Sequence, residues 1–248
     1  MTDRRRGWAL AGALTLAGLF AAVAIAAPSG SPAPPAHTSA KIGCRAVGTS
    51  FRLAGPPLRR VVALTFDDGP GPLTPAFLDV LERERVPATF FVVGRLIAGQ
   101  EPLLRRMLAG GSTLGNHTFT HAHVAQGGRQ EMLDAQGAIH AATGYVPCVF
   151  RAPANKHSPL LVRQARALGM NTVQWSVDSR DWTGHSARAT YARVTSRAHP
   201  GAVVLFHDGG RHASKSLAAL PHVIRSLRAR GYRFVTVPAL LSLTPRYG

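Results

Sequence analysis

Short apolar runs rich in β-branched residues alternate with amphipathic stretches along most of this 248-residue chain. Seven such runs are VVALTF (61–66), ATFFVV (88–93), STLGN (112–116), VPCVF (146–150), NTVQWSV (171–177), AVVLF (202–206) and YRFVTV (232–237). Strand–helix units that repeat about every 25 to 33 residues predict parallel strands joined by right-handed helical crossovers. Seven units in about 190 residues favour an α/β fold of the distorted (β/α)7 barrel type, similar to a TIM barrel. An open doubly wound sheet is the alternative. In the first helical stretch, Thr74 is suited to the N-cap and Pro75 to the first helical position.

The N-terminal residues have the pattern of an export signal. Arg4 to Arg6 precede an uncharged stretch from Trp8 to Ala27, which predicts either a cleaved signal peptide or an uncleaved membrane anchor over residues 1–27. In both cases the arginines stay in the cytoplasm, so the rest of the chain is expected to be secreted or tethered to the outer face of the membrane. Residues 28–45 are rich in Pro, Ala and Ser and predict a linker, and residues 46–248 are predicted to form one folded domain.

The chain is strongly basic, with 29 Lys plus Arg, 12 Asp plus Glu and a formal net charge of +17. Such a charge suits an anionic cell-wall polymer, an anionic membrane surface or nucleic acid. The basic residues are mostly Arg spread over the sequence, as a bias in coding composition would also produce. We therefore expect no nucleic-acid partner and no membrane contact beyond the N-terminal segment, and we expect a monomer. Association with an anionic wall polymer is a hypothesis.

The two cysteines are Cys44 and Cys148. In an oxidising compartment they could form one disulfide between the segment before the first strand and the start of a later one. Spacing alone cannot establish the bond, so two unpaired thiols are the alternative.

Charged and imidazole side chains concentrate where the predicted strands end. In both candidate folds the ligand site lies at the carboxyl ends of the strands. These ends carry Asp67, Asp68, His117, Arg151, Asp178, Asp181, His207 and Asp208, which include five of the 12 acidic residues. This concentration in an acid-poor sequence predicts a functional site. Asp178 is equally suited to a turn, and Asp208 to shaping the loop that continues with Gly209 and Gly210.

The segment NHTFTH places His117 and His121 four residues apart. On a helical turn both imidazoles would face one side and could hold one metal ion. A carboxylate from the first strand, either Asp67 or Asp68, would complete an Asp-His-His set that leaves positions open for water and substrate. This set predicts a catalytic rather than a structural metal.

Five short motifs follow one another in the chain: TFDDGP (65–70), HTFTH (117–121), FRAP (150–153), DSRDW (178–182) and LFH (205–207). In this order and spacing the sequence resembles the polysaccharide deacetylase family, also known as the NodB homology domain and as carbohydrate esterase family 4. The resemblance implies a distorted seven-stranded β/α barrel, with residues 46–248 as the catalytic domain.

By this resemblance, Asp68, His117 and His121 would bind a divalent metal ion, with zinc expected before cobalt or another divalent ion. Asp67 would be the general base for the attacking water. Arg151 would pair with Asp67 and keep that carboxylate ionised and oriented.

The resemblance also assigns the opposite side of the site. His207 would be the general acid for the leaving amine, and Asp181 would fix its tautomer and raise its pKa. Trp182 and Leu205 would form the walls of a pocket for the acetyl methyl group. The backbone N–H of Ala154 would meet the oxyanion.

The implied reaction is hydrolysis of N-acetyl groups on polysaccharide that contains N-acetylglucosamine, of the peptidoglycan or chitin type, with release of acetate. The family also includes acetylxylan esterases, so O-acetyl hydrolysis is one alternative. The sequence departs from the family pattern after Arg-x-Pro, where an aromatic residue and often Gly are usual and this chain has Ala154 and Asn155. Because a wall of the sugar groove would then be missing, a non-catalytic glycan-binding homologue is the second alternative.

Overall fold

The structure, a computed structural model, describes residues 41–44, 51–57, 60–243 and 245–247. The strands in this part of the chain are β1 (Lys41–Cys44), β2 (Phe51–Arg52), β3 (Val61–Asp67), β4 (Thr89–Val92), β5 (Thr113–Asn116), β6 (Val149–Phe150), β7 (Asn171–Val173), β8 (Val177–Asp178), β9 (Ala202–His207), β10 (Arg233–Phe234) and β11 (Pro245–Tyr247). The helices are α1 (Thr74–Glu84), α2 (Glu101–Ala109), α3 (Arg129–Thr143), α4 (Pro159–Ala167), α5 (Ala187–Arg197), α6 (Ala213–Ala229) and α7 (Val237–Leu240).

A parallel sheet in the order β2-β7-β6-β5-β4-β3-β9-β8 is the frame of the fold, and β10 also pairs with β3. The strands β1 and β11 form a separate antiparallel pair. On one face of the sheet the strands pack with helices in the larger apolar cluster. The other face contributes to a second, smaller apolar cluster. The predicted α/β class and distorted barrel are therefore confirmed.

The two buried faces of the sheet follow from the two-residue period of a strand. In β3, Val62, Leu64 and Phe66 pack into the larger apolar cluster with the helices. Ala63 points the other way and joins a smaller cluster with Val203 of β9 and with α7. Strands that are apolar on both sides are typical of parallel sheets covered on both faces.

The predicted strand 171–177 is divided in the structure. Residues 171–173 form β7 beside β6, whereas residues 177–178 form β8 beside β9, at the other end of the sheet order. Between them, the backbone N–H of Gln174 donates to the carbonyl of Arg52 at 2.9 Å, and that of Ser176 donates to the carbonyl of Val203 at 3.1 Å. This connecting segment thus contacts β2, at one end of the sheet, and β9, the strand beside the other end.

The prediction that Thr74 is an N-cap is wrong. The helix α1 begins at Thr74 itself, and Leu73 is the N-cap without a side-chain hydrogen bond. The Thr74 hydroxyl instead accepts from the backbone N–H of Gly71 at 2.8 Å and donates to the Asp208 carboxylate. The Thr74 hydroxyl therefore bonds a residue far along the chain, Asp208, and does not cap the helix. Pro75 still lies in the first turn.

Three predictions concern the N-terminal region. The signal or anchor at 1–27 lies outside the described residues, and the boundaries of the linker and the domain stay predictions. Among the residues that the structure does describe, no helix is both long and apolar enough to cross a bilayer. Cys148 is disulfide-bonded, but the side chain of Cys44 is outside the described part, so the Cys44–Cys148 pairing stays a prediction.

Candidate active site

The strand ends place the predicted site residues around one opening. Asp67 is the last residue of β3, and His207 is the last residue of β9, its neighbour in the sheet. Asp68 follows directly in a left-handed backbone conformation, with φ of 70°. This conformation turns the chain away from the strand direction, so two adjacent aspartates face different partners.

The loop after β5 brings His117 and His121 together, but not on the helical turn that their spacing predicts. Thr118 and His121 have left-handed backbone conformations, with φ of 66° and 65°. The Glu131 carboxylate on α3 accepts hydrogen bonds from the backbone N–H groups of residues 119–120 at 2.9 and 2.8 Å. A side chain from a helix further along the chain therefore supports this loop, and the local spacing gave no sign of it.

Asp68, His117 and His121 present one donor atom each within 4.8 Å of one another. The Nε2 atoms of His117 and His121 lie 3.3 and 2.9 Å from Oδ1 of Asp68. The carbonyl oxygen of Arg151 is 2.8 Å from Nδ1 of His117, which favours the tautomer with the proton on Nδ1 and a lone pair on Nε2. Oδ1 of Asp68 is buried and has no hydrogen-bond donor among the described residues. An orphan carboxylate oxygen facing imidazole nitrogens fits a divalent cation.

Asp67 is held by a fully buried arginine. Nη1 of Arg151 donates to Oδ1 of Asp67 and to the Thr65 hydroxyl, each at 2.7 Å, and the guanidinium also donates to the carbonyls of residues 173–174. Burial lowers the pKa of Arg151, and the negative charge of Asp67 opposes that effect. The other oxygen of Asp67, Oδ2, lies 3.8 Å from Nε2 of His117 and so faces the metal-ligand cluster.

His207 and Asp181 form a compact pair on the opposite side. Nδ1 of His207 is 2.8 Å from Oδ1 of Asp181, and the Asp181 carboxylate also accepts from the His207 backbone N–H and the Ser216 hydroxyl. Burial favours the neutral imidazole, but the hydrogen bond and charge of Asp181 outweigh it and raise the pKa of His207 to about 9. His207 is therefore an imidazolium at neutral pH, and its Nε2 has no hydrogen-bond partner among the residues that the structure describes.

One cavity of about 290 Å³ joins these groups. It is lined by Asp67, Asp68, His117, His121, Ala154, Trp175, Asp178, Trp182, Leu205 and His207. Leu205 is buried and Trp182 is 54% exposed at the rim. The structure thus brings together all the predicted metal, base, acid and pocket residues. We refer to this space below as the acetyl pocket.

Several residues around the site were missed or left undecided at the level of sequence. Trp175 lines the acetyl pocket and Ser216 supports Asp181, but neither belongs to one of the five family motifs. Asp178 lines the pocket while accepting a turn hydrogen bond from the backbone N–H of Arg180 at 2.8 Å. Asp208 is fully buried beneath the aspartate loop, and burial raises its pKa to about 7. A Cβ on Gly69 would lie 2.3 Å from its carboxylate, so only glycine fits there.

A distorted α/β barrel with a two-histidine, one-carboxylate cluster beside an arginine-held carboxylate and an imidazolium defines a metal-dependent hydrolase. The family model described as polysaccharide deacetylase matches residues 54–173. The chitooligosaccharide deacetylase of Bradyrhizobium sp. (strain ANU 289) is 38% identical over 198 residues, which are 73% of this chain and 90% of that protein. The chain belongs to the polysaccharide deacetylase family.

Solved structures agree with this assignment. A crystal structure of the Bc1960 peptidoglycan N-acetylglucosamine deacetylase has a TM-score of 0.75 at 33% identity and covers 79% of this chain and 95% of that one. A second neighbour is BA3943 from Bacillus anthracis, described as a family pseudoenzyme, with a TM-score of 0.72 at 27% identity. That match covers 78% of this chain and 69% of the other. The fold therefore occurs in both active enzymes and a pseudoenzyme. Whether this chain is active has to be judged from its site residues.

Proposed function

We propose that this protein is a metal-dependent deacetylase that removes N-acetyl groups from N-acetylglucosamine units of a polysaccharide, of the peptidoglycan or chitin type, and releases acetate. The observation that carries this proposal is that the metal-ligand cluster, Asp67 and His207 all line the one acetyl pocket. The relatives named as chitooligosaccharide and peptidoglycan N-acetylglucosamine deacetylases support this substrate class.

The base in this reaction is Asp67. Arg151 occupies one of its oxygens, which leaves the other to take a proton from a water molecule in the pocket. The water oxygen then attacks the acetyl carbon. A divalent ion bound by Asp68, His117 and His121 would polarise the acetyl carbonyl and make the water more acidic.

The acid is His207, which holds a proton at neutral pH because its pKa is raised to about 9. As the carbon–nitrogen bond breaks, Nε2 of the imidazolium donates that proton to the leaving amine. Asp181 stabilises the imidazolium until this transfer. The products are a free amine on the sugar and acetate. The backbone N–H of Ala154 is proposed as a donor to the oxyanion.

The pocket walls select a small acyl group. Leu205 and Trp175 offer apolar surface beside the reacting groups, where water is excluded from the methyl group. Ala154 and Asn155 are both exposed and in left-handed conformations, and neither side chain can supply an aromatic wall on that side of the groove. The exposed Trp182 could supply aromatic surface for the sugar instead.

Zinc is our proposed ion, because two imidazoles and one carboxylate with open positions are typical of catalytic zinc sites.

We also propose that the enzyme acts outside the cytoplasmic membrane, secreted or tethered. The arginines and apolar stretch at the N-terminus and the disulfide-bonded Cys148 support this location. The helices α4, α5 and α6 contain no acidic residue, which supports contact with an anionic wall polymer.

Acetate release by the metal-loaded protein across a panel of acetylated glycans tests the proposal. We expect release from N-acetylglucosamine oligomers or peptidoglycan. Activity on acetylated xylan alone would show that the O-acetyl alternative is right. Glycan binding without any acetate release would place this protein with the non-catalytic homologues.

A further inference from the structure

A second cavity of about 310 Å³ adjoins the acetyl pocket. The two share Asp68, Trp182 and His207 as lining residues, so a ligand that reaches the reacting groups also borders the second cavity. We call this second space the side cavity. It differs from the acetyl pocket in its chemistry, because its further lining includes Arg211 and His212 in place of Leu205 and Trp175.

The charge of Arg211 is available to a ligand. Its side chain is exposed, and no ion pair involves it among the residues that the structure describes. The acids that line the same cavity are already engaged. The carboxylate of Asp181 accepts hydrogen bonds from His207 and Ser216, and Asp68 belongs to the metal-ligand cluster.

We propose that Arg211 selects glycans in which the unit beside the deacetylated sugar bears a carboxylate. This inference rests on the proposed deacetylase function and narrows its substrate class to acidic N-acetylated glycans. A guanidinium can bind a carboxylate through two parallel hydrogen bonds, which a neutral sugar cannot offer. Because the two cavities share Asp68, Trp182 and His207, a polymer with its acetyl group in the acetyl pocket would place an adjoining unit beside the side cavity.

The proposal distinguishes the two types of substrate for which the relatives are named, because only one of them bears carboxylates. A chitin-type oligomer is neutral along its length, whereas peptidoglycan has a lactyl carboxylate or a peptide on alternate sugars. The side cavity therefore favours the peptidoglycan type. His212 gives the cavity a polar wall that lies against the backbone of the preceding loop, since a Cβ on Gly184 would be 3.1 Å from its ring.

The test compares kcat/KM of the metal-loaded full-length protein on two tetrasaccharides, an N-acetylglucosamine tetramer and a peptide-free peptidoglycan tetramer with lactyl carboxylates. We expect the wild-type protein to prefer the acidic tetramer. Arg211→Gln should lower the ratio of the two values about tenfold, mainly through KM, as loss of one charge-assisted contact predicts. The Arg211→Lys variant should recover part of the ratio, and added salt should reduce the wild-type preference.

Lys215→Gln is the matched control, because it removes one positive charge from an exposed position of α6 that does not line the cavity. It should keep the wild-type ratio. An unchanged ratio in Arg211→Gln, or an equal fall in Lys215→Gln, overturns the proposal.

Calorimetric binding of both tetramers to the Asp67→Asn protein, with and without Arg211→Gln, tests the same selectivity without turnover. If Arg211→Gln loses the preference for the acidic tetramer in binding, the inference about Arg211 is supported. If the wild-type protein releases no acetate, the proposed function is contradicted, whatever the binding result.

Discussion

The two sides of the active site solve the problem of a buried charge differently. On the metal side, Asp68 has an oxygen without a hydrogen-bond donor among the described residues, facing two histidines from a strained loop. On the acid side, Asp181 accepts from the His207 ring, the His207 backbone and Ser216. The acid side is electrostatically complete in the protein itself, whereas the metal side needs a cation. Substitutions on the two sides should therefore fail in different ways.

The largest effect is expected from His117→Ala. Removing one of the three donors should abolish both metal binding and turnover, with kcat/KM falling more than about 10⁴-fold, because the ion supplies the electrophile. Metal content by elemental analysis and acetate release are the measurements. His123→Ala is the control, since His123 is exposed and outside the ligand cluster. Full metal content in His117→Ala would contradict the assignment of the cluster.

Asp67→Asn should separate the two properties that His117→Ala loses together. We expect kcat to fall about 10³-fold because the base is lost, while metal content stays near one ion per chain. Asparagine can still contact Arg151, so the fold should be retained. If Asp67→Asn loses metal as fully as His117→Ala does, the roles of Asp67 and Asp68 have been exchanged.

Asp181→Asn tests the acid side. Activity should require the protonated form of His207, so the wild-type rate should fall as pH rises through about 9, the raised pKa of His207. Asparagine removes the largest effect that raises this pKa, although the charges of Asp67 and Asp68 remain. The alkaline limb of the pH–rate profile should move to lower pH, and kcat at neutral pH should fall about 10²-fold. Metal content should not change. An alkaline limb at its wild-type pH would exclude His207 as the acid.

The smallest effect is expected from Trp182→Ala at the rim shared by both cavities. Because this side chain is 54% exposed, it should contribute stacking to the sugar rather than support to the fold. We expect KM to rise a few-fold, about 3- to 10-fold, with kcat nearly unchanged. Steady-state kinetics on one oligomer will measure it, and a fall in kcat alone would show that Trp182 orients His207 instead.

The residues that line the acetyl pocket were largely predictable from sequence because parallel strands bring their carboxyl ends to one edge. Asp67, His117 and His207 each lie at such an end. Of the residues that support them, Arg151 and Asp181 were predicted through the family motifs alone. The other supporting residues were not predictable, because their partners are distant in the chain. Glu131 supports the histidine loop, Ser216 lies 35 residues from Asp181, and Thr74 bonds Asp208 across 134 residues. A local pattern cannot reveal such pairs, and it also hid the division of the strand at 171–177.

The connecting segment between β7 and β8 separates the site along the chain as well as in space. The metal-ligand cluster, Asp67 and Arg151 all precede residue 174, whereas Asp181 and His207 follow residue 176. The family model ends at the same place, at residue 173. A chain divided within residues 174–176 would give one fragment with the proposed base and metal ligands and another with the proposed acid. Neither could complete hydrolysis alone, so recovered activity would report that the two fragments had reassociated through β3 and β9.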